Sequence, residues 1–448
     1  MRGGLSLAFF LVAGYLFISY VRLLEIIPGL APLRLMLWMS ILALIMSLVN
    51  WSSTPRRNRV ALDAPQVLMT LAFVIVGSLW SLRRGGWGEF SFAISQMQVV
   101  LGAFLMMVMN LDSIKHLRVV MFLMAISAVV MAGQGIAAFH LGYDWDTYIM
   151  DPSKNEDGEV KPPAFDENGQ LVSEAPRIRS VGFLNDPNDL AQTLATFLVM
   201  LGFFWDKRKK ARNFLLLAPA MGLILYGVFL TRSRGGLVSV AVMSLLLWRE
   251  RLGKIMATIL TTCLIMGALA VNITGGRAMK DDSAEARIEA WASGILMLRA
   301  NPLFGVGFHN FADEHGGMTA HNSYVLCFSE MGLVGYFFWM SLLVVSFIQL
   351  TRLKNLPGDD PELVEIRKIA GVVRLSFITF LVAAFFLSRS YVLTLFLLIG
   401  ISLCLTDIAR RKGYSIGRMT ARVWTKQTLI WQFLSIFIVW LAVKVNGM

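Results

Sequence analysis

The sequence predicts an all-α fold: a polytopic membrane bundle of about twelve spanning helices with helical loops between some of them. Three observations carry this. Hydrophobic residues make up 56% of the chain and mean hydropathy is +0.64, against about 45–50% apolar usage in soluble domains. Apolar runs of span length recur from one end to the other, and Lys/Arg clusters fall in every second gap between them. At about 30–35 residues per span and loop, one bundle absorbs all 448 residues, so 1–448 reads as a single transmembrane domain.

The runs lie near 4–21, 34–51, 66–82, 91–110, 119–141, 188–205, 214–231, 236–248, 255–273, 323–350, 369–387 and 392–406, with a further one near 428–445. The first follows Met-Arg-Gly-Gly without a small-residue cleavage site, and reads as a span rather than a cleaved signal. The run at 236–248 is short, and that at 323–350 is long enough to contain a kink. Cytoplasmic loops favour Lys and Arg. The clusters Arg56/Arg57/Arg59, Lys115/Arg118, Lys207 to Arg212, Arg249/Arg251/Lys254, Arg352/Lys354/Arg367/Lys368 and Arg410 to Lys412 therefore belong inside, as does the N-terminus. Two long loops then fall outside: 142–187, acidic and Pro-, Asn- and Asp-rich, a lid or a spacer, and 274–322, which holds three of the five histidines. Segment 407–448 starts in the cytoplasm, and its apolar run is either a thirteenth span or a membrane-surface helix.

Several function classes are excluded. A net charge of +12 suggests nucleic-acid binding only when the basic residues share one solvated face. Here they are dispersed between spans. Cys263, Cys327 and Cys404 sit in apolar stretches with no CxxC spacing, so they read as small core residues. His309, His315 and His321 are six apart each time, which fits no helical pair or zinc signature. Neither a phosphate-binding glycine loop nor an internal repeat is present.

Three outer segments could carry chemistry. Thr231-Arg232-Ser233-Arg234-Gly235-Gly236 puts two arginines at the junction of two spans, where an uncompensated guanidinium is costly and an anion would be welcome. The alternative is a pair snorkelling to headgroups. Arg287 and Trp291, four apart, share a helical face, and Asn301-Pro302-Leu303-Phe304-Gly305-Val306-Gly307 then turns the chain back toward the membrane. A structural pairing of Arg287 with Glu285 or Glu289 is the rival there. His321, at the mouth of the next span, has the ordinary pKa of a general base at neutral pH. Asn322 and Tyr324 are placed to orient the ring or a sugar hydroxyl, whereas an ordinary surface histidine is the plainer reading.

In this order, Ser233-Arg234-Gly235, Arg287 with Trp291, Asn301 to Gly307, His321-Asn322-Ser323-Tyr324 and Glu330-Met331-Gly332-Leu333-Val334-Gly335 resemble the O-antigen ligase-like superfamily of ligases and polysaccharide polymerases. Gly182 to Ala191 resembles the family's stretch before the sixth span, and the first five spans match only in hydropathy. The resemblance implies a GT-C-like glycosyltransferase with helical periplasmic loops, in the bacterial inner membrane, its active site facing the periplasm. It implies metal-independent, inverting glycosyl transfer without a cofactor, from a glycan on undecaprenyl pyrophosphate to a lipid A core sugar or a second glycan. By the match His321 is the base and Arg234 and Arg287 hold the pyrophosphate, with Arg232, Asn322, Tyr324 and Trp291 as substrate-binding residues. The long 142–187 loop and the extra C-terminal run depart from the simplest family pattern and leave ligase and polymerase both open. A lipid-glycan flippase or transporter is the rival of a different class, but its charges should line a midplane cavity rather than one outer face.

Overall fold

The computed structural model describes residues 6–22, 34–55, 64–151, 153, 175–270, 282–417 and 419–447. Arg56, Arg57 and Arg59, residues 152 and 154–174 of the 142–187 loop and the start of the 274–322 loop lie outside the described residues. The apolar runs become helices α1 (Leu7–Val21), α2 (Leu35–Ser53), α3 (Pro65–Asn110), α4 (Ile114–Leu141), α5 (Pro187–Gly202), α6 (Lys210–Leu230), α7 (Arg234–Leu252) and α8 (Lys254–Ala270). After the loop helix α9 (Asp282–Ala300) come α10 (Ser323–Lys354), α11 (Pro361–Ala384), α12 (Leu393–Arg411) and α13 (Ala421–Val445). Among the described residues seven of them, α2, α3, α4, α6, α10, α12 and α13, are long and apolar enough to cross a membrane. The chain is a multi-pass helical membrane protein.

Two of these helices are broken where the sequence supplies glycine. In α3, Gly86 adopts φ 69°, ψ −153°, a conformation open in practice only to glycine. The arms before and after it fold back on each other: a Cβ on Gly77 would lie 2.7 Å from the Met97 methyl. The two runs at 66–82 and 91–110 are therefore the two arms of one hairpin. In α10 the break falls at Gly332 (φ 61°, ψ −171°), inside the run whose length had suggested a kink.

Fully buried α12 residues such as Leu395, Leu397 and Ile399 form the centre of the bundle, together with Trp339 and Tyr336 of α10 and Phe377 of α11. The described end of the α4–α5 loop, the α6–α7, α9–α10 and α11–α12 loops and the α3 break meet on one face: Arg177 bonds to Thr231, Arg389 to Ser323 and Arg84 to Val306. On the opposite face the basic clusters meet acids: Arg118 pairs with Glu365, Lys354 with Glu250, and Lys412 with Glu362 at 2.6 Å. The last helix packs one narrow face, Thr428, Gln432, Val439 and Val443, against the bundle and leaves the rest exposed. It runs antiparallel to α10, with Ser341 donating to Thr428 at 3.3 Å, Gln432 donating to the Leu333 carbonyl at 3.0 Å, and the Tyr336 and Ser435 hydroxyls 2.7 Å apart.

Candidate active site

Five of the seven candidates, Arg232, Arg234, His321, Asn322 and Tyr324, stand at or beside a helix end, while Arg287 and Trp291 lie within α9; local sequence explains why the helices end where they do. Ser233 caps α7, its hydroxyl accepting from the Gly236 amide at 3.1 Å, so Arg234 occupies the first turn. Gly235 and Gly236 let that turn approach its neighbours: a Cβ on Gly236 would lie 2.7 Å from the Ala191 methyl of α5. Asp186 caps α5, accepting from the Asn188 amide at 2.6 Å with Pro187 at the first position. Asn322 caps α10, accepting from the Tyr324 and Val325 amides at 2.9 and 3.2 Å. Three helix N-termini thus converge, and each brings the positive end of its backbone dipole to the same place.

Two adjoining cavities lie at this convergence. Arg234 and Arg287 line a narrow one with Asn188, Ser233, Gly235, Phe386 and Leu387. The larger one, about 380 Å³, is lined by His321, Asp186, Asp189, His309, Glu330 and Arg389 among others. Asn188 and Leu387 border both. His321 is held at φ 47°, a left-handed backbone that non-glycine residues seldom adopt. Surrounding protein desolvates its ring, and the Arg287 guanidinium adds to that effect, so the imidazole pKa falls below 6.5; Asp186 opposes the shift. At neutral pH the ring is neutral and able to take a proton.

A backbone splice supports the histidine loop. At the α10 break the Ser329 and Glu330 carbonyls accept from the Val306 and Gly307 amides at 2.8 and 2.9 Å. The Leu333 and Val334 amides donate to the Pro302 and Leu303 carbonyls at 2.8 and 3.0 Å. Groups that a broken helix would orphan are thereby satisfied by the 302–307 turn segment. The approach is so close that a Cβ on Gly332 would overlap the backbone of Leu303 to Gly305, and one on Gly305 that of Ser329 and Glu330. Glu330 adds side-chain ties, accepting from the Tyr391 hydroxyl at 2.9 Å and the Phe311 amide at 3.3 Å. Arg84, from the α3 break, bonds to the Val306 carbonyl and Glu314.

Residues 219–340 match the O-antigen ligase family model (Wzy_C).

The match bears out the resemblance read from the motifs, and its span holds Arg232, Arg234, Arg287, Trp291, His321, Asn322 and Tyr324. No curated protein matches the chain. Within this O-antigen ligase-like segment the candidates fall into two groups. Arg234, Arg287 and His321 face the cavities. The other four line neither cavity. Trp291 is buried and donates to the Ala320 carbonyl at 3.1 Å, steadying the residue before His321. Asn322 is fully buried as the α10 cap, and Tyr324 packs edge-on to Trp339 with ring centroids 5.6 Å apart. Arg232, at φ 50°, donates to the Pro176 carbonyl at 3.3 Å.

Sequence reasoning missed Arg389, Asp189 and Arg177. Arg389 reaches from the α11–α12 loop into the His321 cavity and forms a two-pronged ion pair with buried Asp189. Its amide donates to the Ser323 hydroxyl at 2.8 Å, and that hydroxyl donates to the Leu387 carbonyl at 2.6 Å, which fixes the loop to the start of α10. The argument applied to Arg232 and Arg234, a charge at the end of an apolar run, would have found it. Arg177, at the far end of the 142–187 loop, donates to the Thr231 carbonyl at 2.8 Å and to Asn188 at 3.0 Å. It braces the turn that presents Arg234.

Proposed function

We propose that this protein transfers a glycan from undecaprenyl pyrophosphate to a hydroxyl acceptor at the periplasmic face of the bacterial inner membrane, as an O-antigen ligase-like enzyme. The observation that carries the reading is the convergence of Arg234, Arg287 and neutral His321 on adjoining cavities at one end of the bundle. The arginine pocket measures about 20 Å³, roughly one water. A diphosphate therefore sits at its mouth, in the larger cavity, with the guanidiniums behind it.

The acceptor hydroxyl gives its proton to His321 while its oxygen bonds to the anomeric carbon. The bond from that carbon to the phosphate oxygen breaks on the opposite side, inverting the centre, and the pyrophosphate leaves as an anion held by Arg234 and Arg287. Base assistance is worth about 10²–10⁴ in rate, and fixed positive charge at the leaving group adds electrostatic stabilisation. No metal or cofactor is required by this scheme. Basic clusters on the face opposite the site support a cytoplasmic assignment for that face, with 142–187 and 274–322 as periplasmic loops. On this reading 1–448 is one GT-C-like domain of twelve crossings, and α13, leading out of the cytoplasmic part of 407–448, makes a thirteenth.

Purified protein in detergent, offered a defined lipid-linked donor with either a lipid A core acceptor or a second lipid-linked glycan, tests the reading. Joined product without a sealed membrane is expected, and the acceptor used separates ligase from polymerase. Absence of product with both acceptors, alongside donor movement across sealed vesicles, would replace it with a flippase.

A further inference from the structure

We propose that the cleft between α10, α11 and α13 seats the polyprenyl chain of the lipid-linked donor; this rests on the donor reading above. The cleft measures about 480 Å³, within the range of ligand sites, and Leu343, Phe347, Leu381, Phe385, Trp431 and Leu434 form much of its lining. Two of its three polar side chains, all but Gln427, are already committed to protein partners. The Tyr324 hydroxyl donates to the Leu381 carbonyl at 3.4 Å, and the Ser435 hydroxyl meets Tyr336. A sugar would find little to bond there, whereas a hydrocarbon chain would.

Three features select this occupant. On α13 the lining runs from Gln427 to Val439, about 18 Å of helical rise and more than half the hydrocarbon thickness, and Tyr324, beside Phe385, lies at the end nearer the arginines. Trp431 and Ile438 of α13 are 52% and 46% exposed, so the cleft opens sideways into lipid, the route by which a membrane-borne chain must enter. Its upper end adjoins the arginines: Phe385 lines the cleft, while the next two residues, Phe386 and Leu387, line the Arg234/Arg287 pocket. Apolar cleft and cationic pocket therefore share one short wall, as the tail and diphosphate of a single amphiphile require. An ordinary phospholipid has the tail but not the diphosphate.

Because bilayer lipid is as apolar as the cleft, the gain from seating the tail is packing alone, about tenfold in affinity at most. The test measures binding of undecaprenyl diphosphate, farnesyl diphosphate and inorganic pyrophosphate to the full chain in nanodiscs. Wild type is compared with two cleft-filling variants, Leu343→Trp on α10 and Leu434→Trp on α13, either of which suffices if the other fails to fold. Wild type should prefer the undecaprenyl over the farnesyl compound severalfold, and the filled variants should lose that preference while binding farnesyl diphosphate and pyrophosphate as before. A preference that survives filling places the tail elsewhere and overturns the proposal. So does equal displacement of the undecaprenyl compound by phosphatidylglycerol, which would make the cleft a seat for any lipid. Loss of diphosphate binding in none of the Arg234 and Arg287 variants would instead count against the donor reading, leaving the cleft result to be judged on chain length.

Discussion

Substituting Gly332 by Ala should be among the most damaging single methyl additions near the site, with Gly305→Ala its counterpart across the splice. The native φ of 61° with ψ −171° lies where side-chain-bearing residues pay about 1–3 kcal/mol. The new Cβ would overlap the Leu303–Gly305 backbone, and backbone cannot rotate aside as a side chain can. Relieving that overlap costs about 1–3 kcal/mol more. Parting the two segments also threatens the four splice bonds of 2.8–3.0 Å, each worth about 1 kcal/mol net. The total is about 4 kcal/mol or more. Thermal unfolding of purified Gly332→Ala in detergent, followed by circular dichroism, should show a midpoint many degrees lower. Gly88→Ala is the control, since a methyl there meets nothing within 4 Å and should leave the midpoint level or raised. A Gly332→Ala midpoint equal to wild type would refute the splice as the element that holds the histidine loop.

Other consequences follow from the site's charges. The acid limb of kcat/KM should fall with a midpoint below 6.5, because the imidazole must be neutral to accept a proton and its pKa is depressed by burial and by Arg287. Arg287→Gln removes one depressing influence, so the midpoint of its residual activity should move up; a downward move would contradict the placement of the guanidinium beside the ring. Arg234→Ala and Arg287→Ala should each lower transfer by about 10²–10³, with Lys recovering only part because a point charge cannot reproduce the fork. Arg389→Ala leaves the buried Asp189 carboxylate uncompensated and should cost about 3–5 kcal/mol, whereas the double change Asp189→Ala/Arg389→Ala should cost less, as read from unfolding midpoints. A double variant less stable than either single one would rule out a simple charge pair.

Hydropathy made the helices legible, because a span must be apolar over a fixed length whatever it packs against. The breaks were half visible. Two runs separated by Gly85 and Gly86 read as separate spans, and the overlong run at 323–350 hinted at the Gly332 break. What composition does not encode is the pairing of 302–307 with 329–334, since it joins distant segments through backbone groups that every residue carries. The ordered motifs identified Arg234, Arg287 and His321, and the fold brings them together. Arg389 and Asp189 escaped notice because they are a pair: each is an unremarkable charge in its own segment, 200 positions apart. The family resemblance implied substrate-binding roles for Trp291 and Asn322, while the fold buries both behind the cavity as supports, a distinction that depends on which way a helix face is turned.

Glycan transfer by purified His321→Ala, with a defined undecaprenyl-pyrophosphate donor and the acceptor that wild type uses, bears most directly on the account. The variant should fold with an unfolding midpoint near wild type, because His321 lies on the cavity surface, and its transfer should fall by about 10²–10⁴. Transfer at the wild-type rate by a folded His321→Ala protein would contradict the assignment of the base, and with it the chemistry built on this site.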